Sequence, residues 1–559
     1  MATPLPKLPI NNPRPAWLEL GALFSLAFVL SLVFLWPVMS NFSTHLTSQD
    51  DGLFIVWLLH WVSTSLTAGR SIFDAPIFYP YQQTLAYSQP FLSTALLSIP
   101  VLPFIPNLIA LHNWHLFWGA IAVFGSMYLL IKNTTDSALA AILAAVIFTF
   151  SSYHFHYVVH LHMFLVAGLP LSVYCLQRWL STQKLGFLIG CLLSFWYQVF
   201  NDPMTGFFVV VACLAVIANH HSLKIITAQL KNVLLCLLVC LLPVLLFYHT
   251  YWQVSQEFEY TRTIRDAAHF AHSLNIFVTT EFVLIVGVIL GLYFTSSTAT
   301  WRLHRKALLP ALIITIVGAV LMLGPALKLN HQTIKFFSLP IPLPYAVLYY
   351  LVPGFQAFRA TSRWILVMGF GLAWLAGVLT NTSQLRPHFK LGIILGLGTY
   401  FWFTQVPNLE LFAISTAAPA IYAHLPTEKS VVAEFPVLIW RMMPYSSWEN
   451  ERLLYQTTHQ QRLFNGTSGF TPPARESDVL WLWRTFPQPD SITYLQQLGV
   501  SHIIVHYHQY QTLTAAKYAY ENHQAPAPEN IKMMLHQNSQ LTELVCIDQA
   551  CLYKIGPDE

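Results

Sequence analysis

The sequence predicts an α-helical polytopic membrane protein of about eleven transmembrane helices, followed by a small C-terminal extracytoplasmic α/β domain. Three observations predict it. Hydrophobic residues make up 55% of the 559 and charged residues only 9%, where a soluble domain carries about 25% charged. The apolar residues gather in blocks close to the roughly 20 residues that cross a bilayer. Beyond about residue 410 the blocks shorten and charges become common. Alternating strand patterns are too few and too late for a membrane barrel, and a net charge of +4 gives no sign of nucleic-acid binding.

The elements follow in order. Residues 1–16 are polar, with Lys7 and Arg14, and the run 17–38 is too long for a signal-peptide core, so a retained first span is expected. Further runs lie near 113–131, 138–152, 161–180, 185–200, 204–219, 232–250, 274–295, 307–325, 362–381 and 391–407. The apolar run 91–110 holds three prolines and is expected to be re-entrant or to lie along the surface. With the N-terminus in the cytoplasm, the cytoplasmic loops contain Lys132; Arg178 and Lys184; Lys224 and Lys231; Arg302, Arg305 and Lys306; and Arg386 with Lys390. That is the positive-inside pattern. The opposite face then collects Asp50 and Asp51, the histidines of 154–162, Asn201 and Asp202, two arginine pairs and everything after about 410. Ionisable groups gathered at one rim mark function.

Residues 1–414 therefore read as a transmembrane domain whose first extracytoplasmic loop spans about 39–90, and residues 415–559 as the α/β domain. There "SVVAEFP" and "VSHIIVHY" read as buried strands, and "DSITYLQQLG" as a helix closed by Gly499. "LVCIDQACLYKI" reads as a hairpin with Cys546 and Cys551 flanking its turn, either paired in an oxidising compartment or free. The other five cysteines fall inside apolar runs and read as packing residues. The sequence has no internal repeat, P-loop, dinucleotide glycine signature or zinc-protease motif.

The candidate chemistry begins at "SQDDGLFIVWLLHW". Trp57 and Trp61 share a face, the pattern of an interfacial helix. Asp50 and Asp51 precede it where water meets lipid. Adjacent carboxylates raise one another's pKa. Such a group suits a general base, an oxygen ligand for a divalent metal such as Mg or Mn, or simply a helix cap. "SSYHFHYVVHLHMF" offers His154, His156, His160 and His162, with His156 and His160 on one face if helical. They suit contact with a sugar or phosphate, a metal, or interface packing. In "FNDPMTGFF", Asp202 before Pro203 reads as an N-cap, with Asn201 and Asp202 as alternative polar walls of a cavity. Arg262 and Arg265 in one outer loop, and Arg359 and Arg363 where a span begins, suit phosphate recognition through the planar guanidinium or headgroup anchoring. "FNGTSGFTPP" is a loop signal that either turns the chain or helps to close an acceptor site. Its "NGT" is also a glycosylation sequon.

Four stretches, "DGLFIVWLLHW", "FDAPIFYPYQQTLAYS", "PGFQAFRATSRW" and "FNGTSGFTPP", resemble bacterial multi-span glycosyltransferases of the GT-C fold that use polyprenyl-phosphate-linked sugars, and the resemblance runs over nearly the whole chain. It implies that Asp51, with Asp50 next, is the essential acid of the first extracytoplasmic loop. It also implies a lipid-linked sugar donor, a glycan, lipid or protein acceptor, and a place in the bacterial cytoplasmic membrane. The W-W-D-Y-G motif of oligosaccharyltransferases is absent, which argues against transfer to protein asparagines. Two other classes compete. A transporter places polar groups near the midplane on broken helices, whereas these spans are nearly free of charge. A non-enzymatic envelope assembly protein would use the outer domain for binding alone.

Overall fold

The structure is a computed structural model and describes residues 16–218 and 220–556. The polar N-terminal stretch with Lys7 and Arg14 lies outside the described residues. Each of the eleven apolar runs falls on a helix or a bent helix pair. Among the described residues, five helices are long and apolar enough to cross a membrane: Trp17–Phe34, Leu108–Thr135, Leu161–Thr182, Leu230–Glu257 and Thr361–Thr382. Two pairs, Ala138–Phe150 with Ser152–Val159 and Ile264–Val278 with Thr280–Phe294, bend by 42° and 55° and bring the number to seven if each is one span. Leu185–Val199, Pro203–Ile217 and Ala307–Leu321 are apolar but short, and Pro387–Gln405 completes the set. Length therefore supports fewer crossings than the eleven expected. A 15-residue helix rises only about 22 Å against a hydrocarbon core of about 30 Å.

Burial separates the helices by role. Along Leu230–Glu257 the leucines face outward, with Leu245 and Leu246 each about two-thirds exposed. Such a surface is at home only in hydrocarbon, and it marks a multi-pass membrane protein. The helix Ile365–Thr382 is the opposite case: Trp374, Phe370 and Ala373 are fully buried where it packs on the helices Thr298–Leu321 and Ala138–Phe150. The proline-rich run expected to be re-entrant forms a short helix, Leu92–Ser98, followed by turns.

The C-terminal segment builds a five-stranded sheet in the order Leu541–Ile547, Ala550–Ile555, His502–His506, Val431–Phe435, Arg462–Leu463. The first three strands are antiparallel neighbours and the last two join in parallel. Both faces are buried, so the central strands read as unbroken apolar runs. Val432, Ile504 and Leu552 belong to the core shared with the helical part. Ala433, Ile503, Val505 and Tyr553 pack among the domain's own helices. Cys546 and Cys551 face each other across the outer hairpin and form a disulfide.

Two seams hold the parts together. The strand His45–Leu46 pairs antiparallel with Phe412–Ala413, so the start of the first loop is fastened to the end of the helical part. Further on, Phe78 and Tyr79 donate their backbone N–H groups to the carbonyls of Asn465 and Leu463, at 2.9 Å each. Gly466 lies against the Phe78 ring, and a Cβ there would sit 2.8 Å from it.

Candidate functional site

The helix Asp50–Thr67 starts at Gln49, which makes no side-chain cap. Neither aspartate caps the helix; both sit in its first turn, where unsatisfied N–H groups favour negative charge. The helix is not free at the surface. It packs on the helix Ser447–His459 of the C-terminal domain. Trp57 Nε1 donates to Gln456 Oε1 at 3.0 Å, and Gln49 Nε2 to Glu451 Oε1 at 3.1 Å. The register of the aspartates is thus set from across the molecule.

The two carboxyls have different surroundings. Asp51 Oδ2 lies 3.0 Å from His160 Nε2, and its side chain keeps 55% exposure, so it is ringed by protein yet open to solvent. Burial pushes its pKa up, but the hydrogen bond and charge of His160 and the charges of Arg363 and Arg359 outweigh it and hold the carboxyl below the usual range. Asp51 is therefore ionised at neutral pH. Asp50 is raised, by burial and then by the charge of Asp51, against a hydrogen bond from Asn450. His160 Nδ1 is buried without a hydrogen-bond partner among the described residues. The proton shared with Asp51 is accordingly assigned to Nε2.

The histidine segment is not one helix. It breaks into Ser152–Phe155, a 3-10 turn His156–Val159 and Leu161–Phe164, with His160 in an irregular conformation at the last break. His156 and His160 therefore do not form an i, i+4 ligand pair. His156 is exposed. His154 is fully buried, its two nitrogens each 2.9 Å from the carbonyls of Thr149 and Phe164. The segment is tied to the first loop by Thr47 Oγ1, which donates to the Val158 carbonyl at 2.7 Å.

Asp202 accepts from the N–H groups of Met204 and Thr205 at 2.7 and 3.1 Å with Pro203 at the first helical position, which is the N-cap reading. Its other oxygen lies 3.8 Å from His162 Nε2. Asn201 is fully buried and accepts from Thr94 Oγ1 at 2.6 Å, clipping the helix Leu92–Ser98 in place.

The arginine loops are stitched together. Arg262 N–H donates to the Gln356 carbonyl and Ser362 N–H to that of Phe270, at 3.3 Å each. Arg359 stacks over the Phe270 ring, 5.3 Å from its centroid, and Arg262 over Tyr260 at 4.8 Å. Burial first, and the charge of Arg262 next, hold Arg359 below the usual arginine range, against the charge of Asp51. Arg262 donates to the Gly469 carbonyl, and a Cβ at Gly469 would meet the Tyr87 carbonyl at 2.9 Å. The "NGTSGF" loop is thereby a seam between the first loop, the arginine loop and the C-terminal domain. Its Asn465 is buried, so the folded chain does not offer that sequon. Arg265 is exposed and no contact brings it to the cluster among the described residues.

Asp51, His160, Arg363 and Arg359 thus converge, with Arg262 behind them. Sequence reasoning missed Asn450 and Glu451, which set the aspartate turn from about 400 residues away; no local pattern announces such partners. As a metal site the cluster fits poorly. Asp50 turns to Asn450, and two arginines act on Asp51, which repels a divalent cation. Among the described residues the group of three ligating side chains close enough to share an ion is Glu543 with the disulfide-bonded Cys546 and Cys551.

No family model matches the chain, and no curated protein matches it in sequence. Its structure does match one determined by cryo-EM, that of the arabinofuranosyltransferase AftD from Mycobacteria, with TM-score 0.56 and 12% identity over 97% of this chain and 40% of that one. The fold is GT-C. This chain spans 40% of the length of the arabinofuranosyltransferase. Two looser GT-C matches are ArnT from Cupriavidus metallidurans bound to undecaprenyl phosphate (TM-score 0.48, 12% identity, 97% of this chain and 99% of that one) and the Archaeoglobus fulgidus oligosaccharyltransferase AglB in complex with an inhibitory peptide and a dolichol-phosphate (0.46, 11%, 95% and 73%). In this GT-C chain the polar cluster lies where the helix Asp50–Thr67 meets the histidine segment and the start of the helix Ile365–Thr382.

Proposed function

We propose that this chain is a membrane glycosyltransferase that moves a sugar from a polyprenyl-phosphate-linked donor to an extracytoplasmic acceptor, with residues 415–559 as an extracytoplasmic domain that holds the first loop in place. One observation carries the reading: an ionised, solvent-open carboxylate at Asp51 under the charges of two arginines. The fold shared with an arabinofuranosyltransferase supports it.

Asp51 accepts the proton of the acceptor hydroxyl as the oxygen attacks the anomeric carbon. The new C–O bond forms as the bond from that carbon to the phosphate oxygen breaks, and the electron pair leaves with the lipid phosphate. Arg359 and Arg363 stabilise that developing charge, and a preorganised cation is most effective where water is excluded. His160 orients the carboxylate and keeps it ionised. Arg262 and Tyr260 flank the donor headgroup.

The test is transfer from radiolabelled polyprenyl-phosphate pentose and hexose donors by protein in lipid nanodiscs. Asp51→Asn is expected to lower the rate by about 10²–10⁴-fold, the range for loss of a general base, with an unchanged thermal midpoint. Full activity in that variant would overturn the assignment.

A further inference from the structure

A cavity of about 590 Å³ opens on the far part of the aspartate helix, well away from Asp51. Three parts of the chain wall it. The helix supplies His60, Trp61 and Thr64; the turn that follows supplies Arg70, Asp74 and Tyr79; the C-terminal domain supplies Lys429, Gln460 and Arg462. From Asp51 to Thr64 the helix rises about 20 Å, so the cavity is separate from the site described above.

The lining chemistry is specific. Trp61 and Tyr79 offer flat amphipathic rings, each with an arginine stacked on it: Arg70 lies 5.6 Å from the Trp61 centroid and Arg462 5.8 Å from that of Tyr79. Gln82 and Gln460 offer amides that donate and accept. Gln456 is held by Trp57 at 3.0 Å, so that wall is rigid. Three cations, Arg70, Lys429 and Arg462, face one acid, Asp74, and Asp74 already accepts from the Gln83 N–H at 3.3 Å. None of the three cations has an ion-pair partner among the described residues. Rings that pack against C–H faces, amides that read hydroxyls and unpaired cations that read an acid are together the recognition set for a charged sugar. The volume suits a ligand of that size. A second cavity of about 480 Å³ shares Pro80, Tyr81 and Gln82 and carries the opening on towards Gln253 and Glu257, which leaves room for an adjoining uncharged ring.

We propose that this seam between the first loop and the C-terminal domain is a binding site for an anionic saccharide. Binding stands on the cavity alone; that the saccharide belongs to the acceptor rests on the transferase reading.

The full chain in detergent is titrated with tetragalacturonate, with maltotetraose as the uncharged control. Saturable binding of tetragalacturonate is expected, at least tenfold tighter than maltotetraose. The double variant Lys429→Ala with Arg462→Ala, both exposed and outside the catalytic cluster, is expected to weaken it roughly tenfold or more, the scale of charge-assisted hydrogen bonds lost. Asp51→Asn should bind unchanged. Equal binding of the two sugars, binding unaltered in the double variant, or displacement by inorganic phosphate at equal concentration would each overturn the proposal. Because the readout is binding, failure of the transferase reading in the Asp51→Asn assay leaves it standing on its own result.

Discussion

At the scale of single residues, the site is a matter of how charges are matched. Asp51 has His160 at 3.0 Å and two arginine charges; Arg359 is lowered first by burial and then by the charge of Arg262. Lysine cannot reproduce the planar fork of arginine. Arg363→Lys is expected to weaken apparent donor affinity several-fold, with Arg359→Lys similar or smaller, while acceptor affinity stays within twofold. Separate donor and acceptor titrations check this. If these arginines merely anchor headgroups, both lysine variants keep wild-type donor kinetics. Part of this was legible from the sequence. An acid pair before an interfacial pattern and arginines at the head of a span are local signals. The partition of roles between Asp50 and Asp51 was not, because it depends on His160 on one side and Asn450 on the other, each remote in sequence.

At the scale of elements, the helix Ser447–His459 does the most. One face carries the contacts to the aspartate helix; the other enters a buried polar cluster. Arg452 bonds Glu449 at 2.5 Å and lies 3.7 Å from Glu434, which His506 Nε2 approaches at 2.8 Å and to which Tyr422 donates at 2.7 Å. Burial pushes Glu449 from its ordinary 4.5 up to about 7 against the pull of Arg452. Glu434 is held below its usual range: burial raises it, but the bond and charge of His506 and the charge of Arg452 prevail. One carboxylate is thus ionised and the other protonated in mildly acidic solution. A raised folded pKa stabilises below the unfolded value, and that contribution is lost as pH rises through the folded one. The thermal midpoint is expected to fall between about pH 4.5 and 7 through this group, and Glu449→Gln should flatten that slope. Arg452→Met removes the buried guanidinium beside Glu449 and Glu434 while His506 and Tyr422 stay on Glu434, and should cost about 1–3 kcal/mol, read as a lower melting temperature. The strands were visible from their apolar runs; this cluster was not, since Glu434 is a single acid in the middle of "VVAEFP" with partners on three other elements.

At the scale of the whole molecule, the proposed function requires the loop of Asp51 and the C-terminal domain to share one side of the membrane. In a variant without the five free cysteines, Lys184→Cys is expected to resist an impermeant thiol reagent in intact cells, and Glu529→Cys to react. The reverse pattern would separate Asp51 from any extracytoplasmic acceptor. The apolar runs announced helices but not which of them cross, because hydropathy does not show where a helix bends or stops short. Finally, the short pairing of His45–Leu46 with Phe412–Ala413 has a bearing on biosynthesis. The first of these segments leaves the ribosome long before its partner exists. At roughly 5–20 residues per second, the loop bearing Asp51 waits tens of seconds for its second strand. The aspartate turn waits longer still, until the helix Ser447–His459 has been made. On the proposed function the site therefore comes together last, and a chain whose translation is interrupted before that point is expected to be inactive.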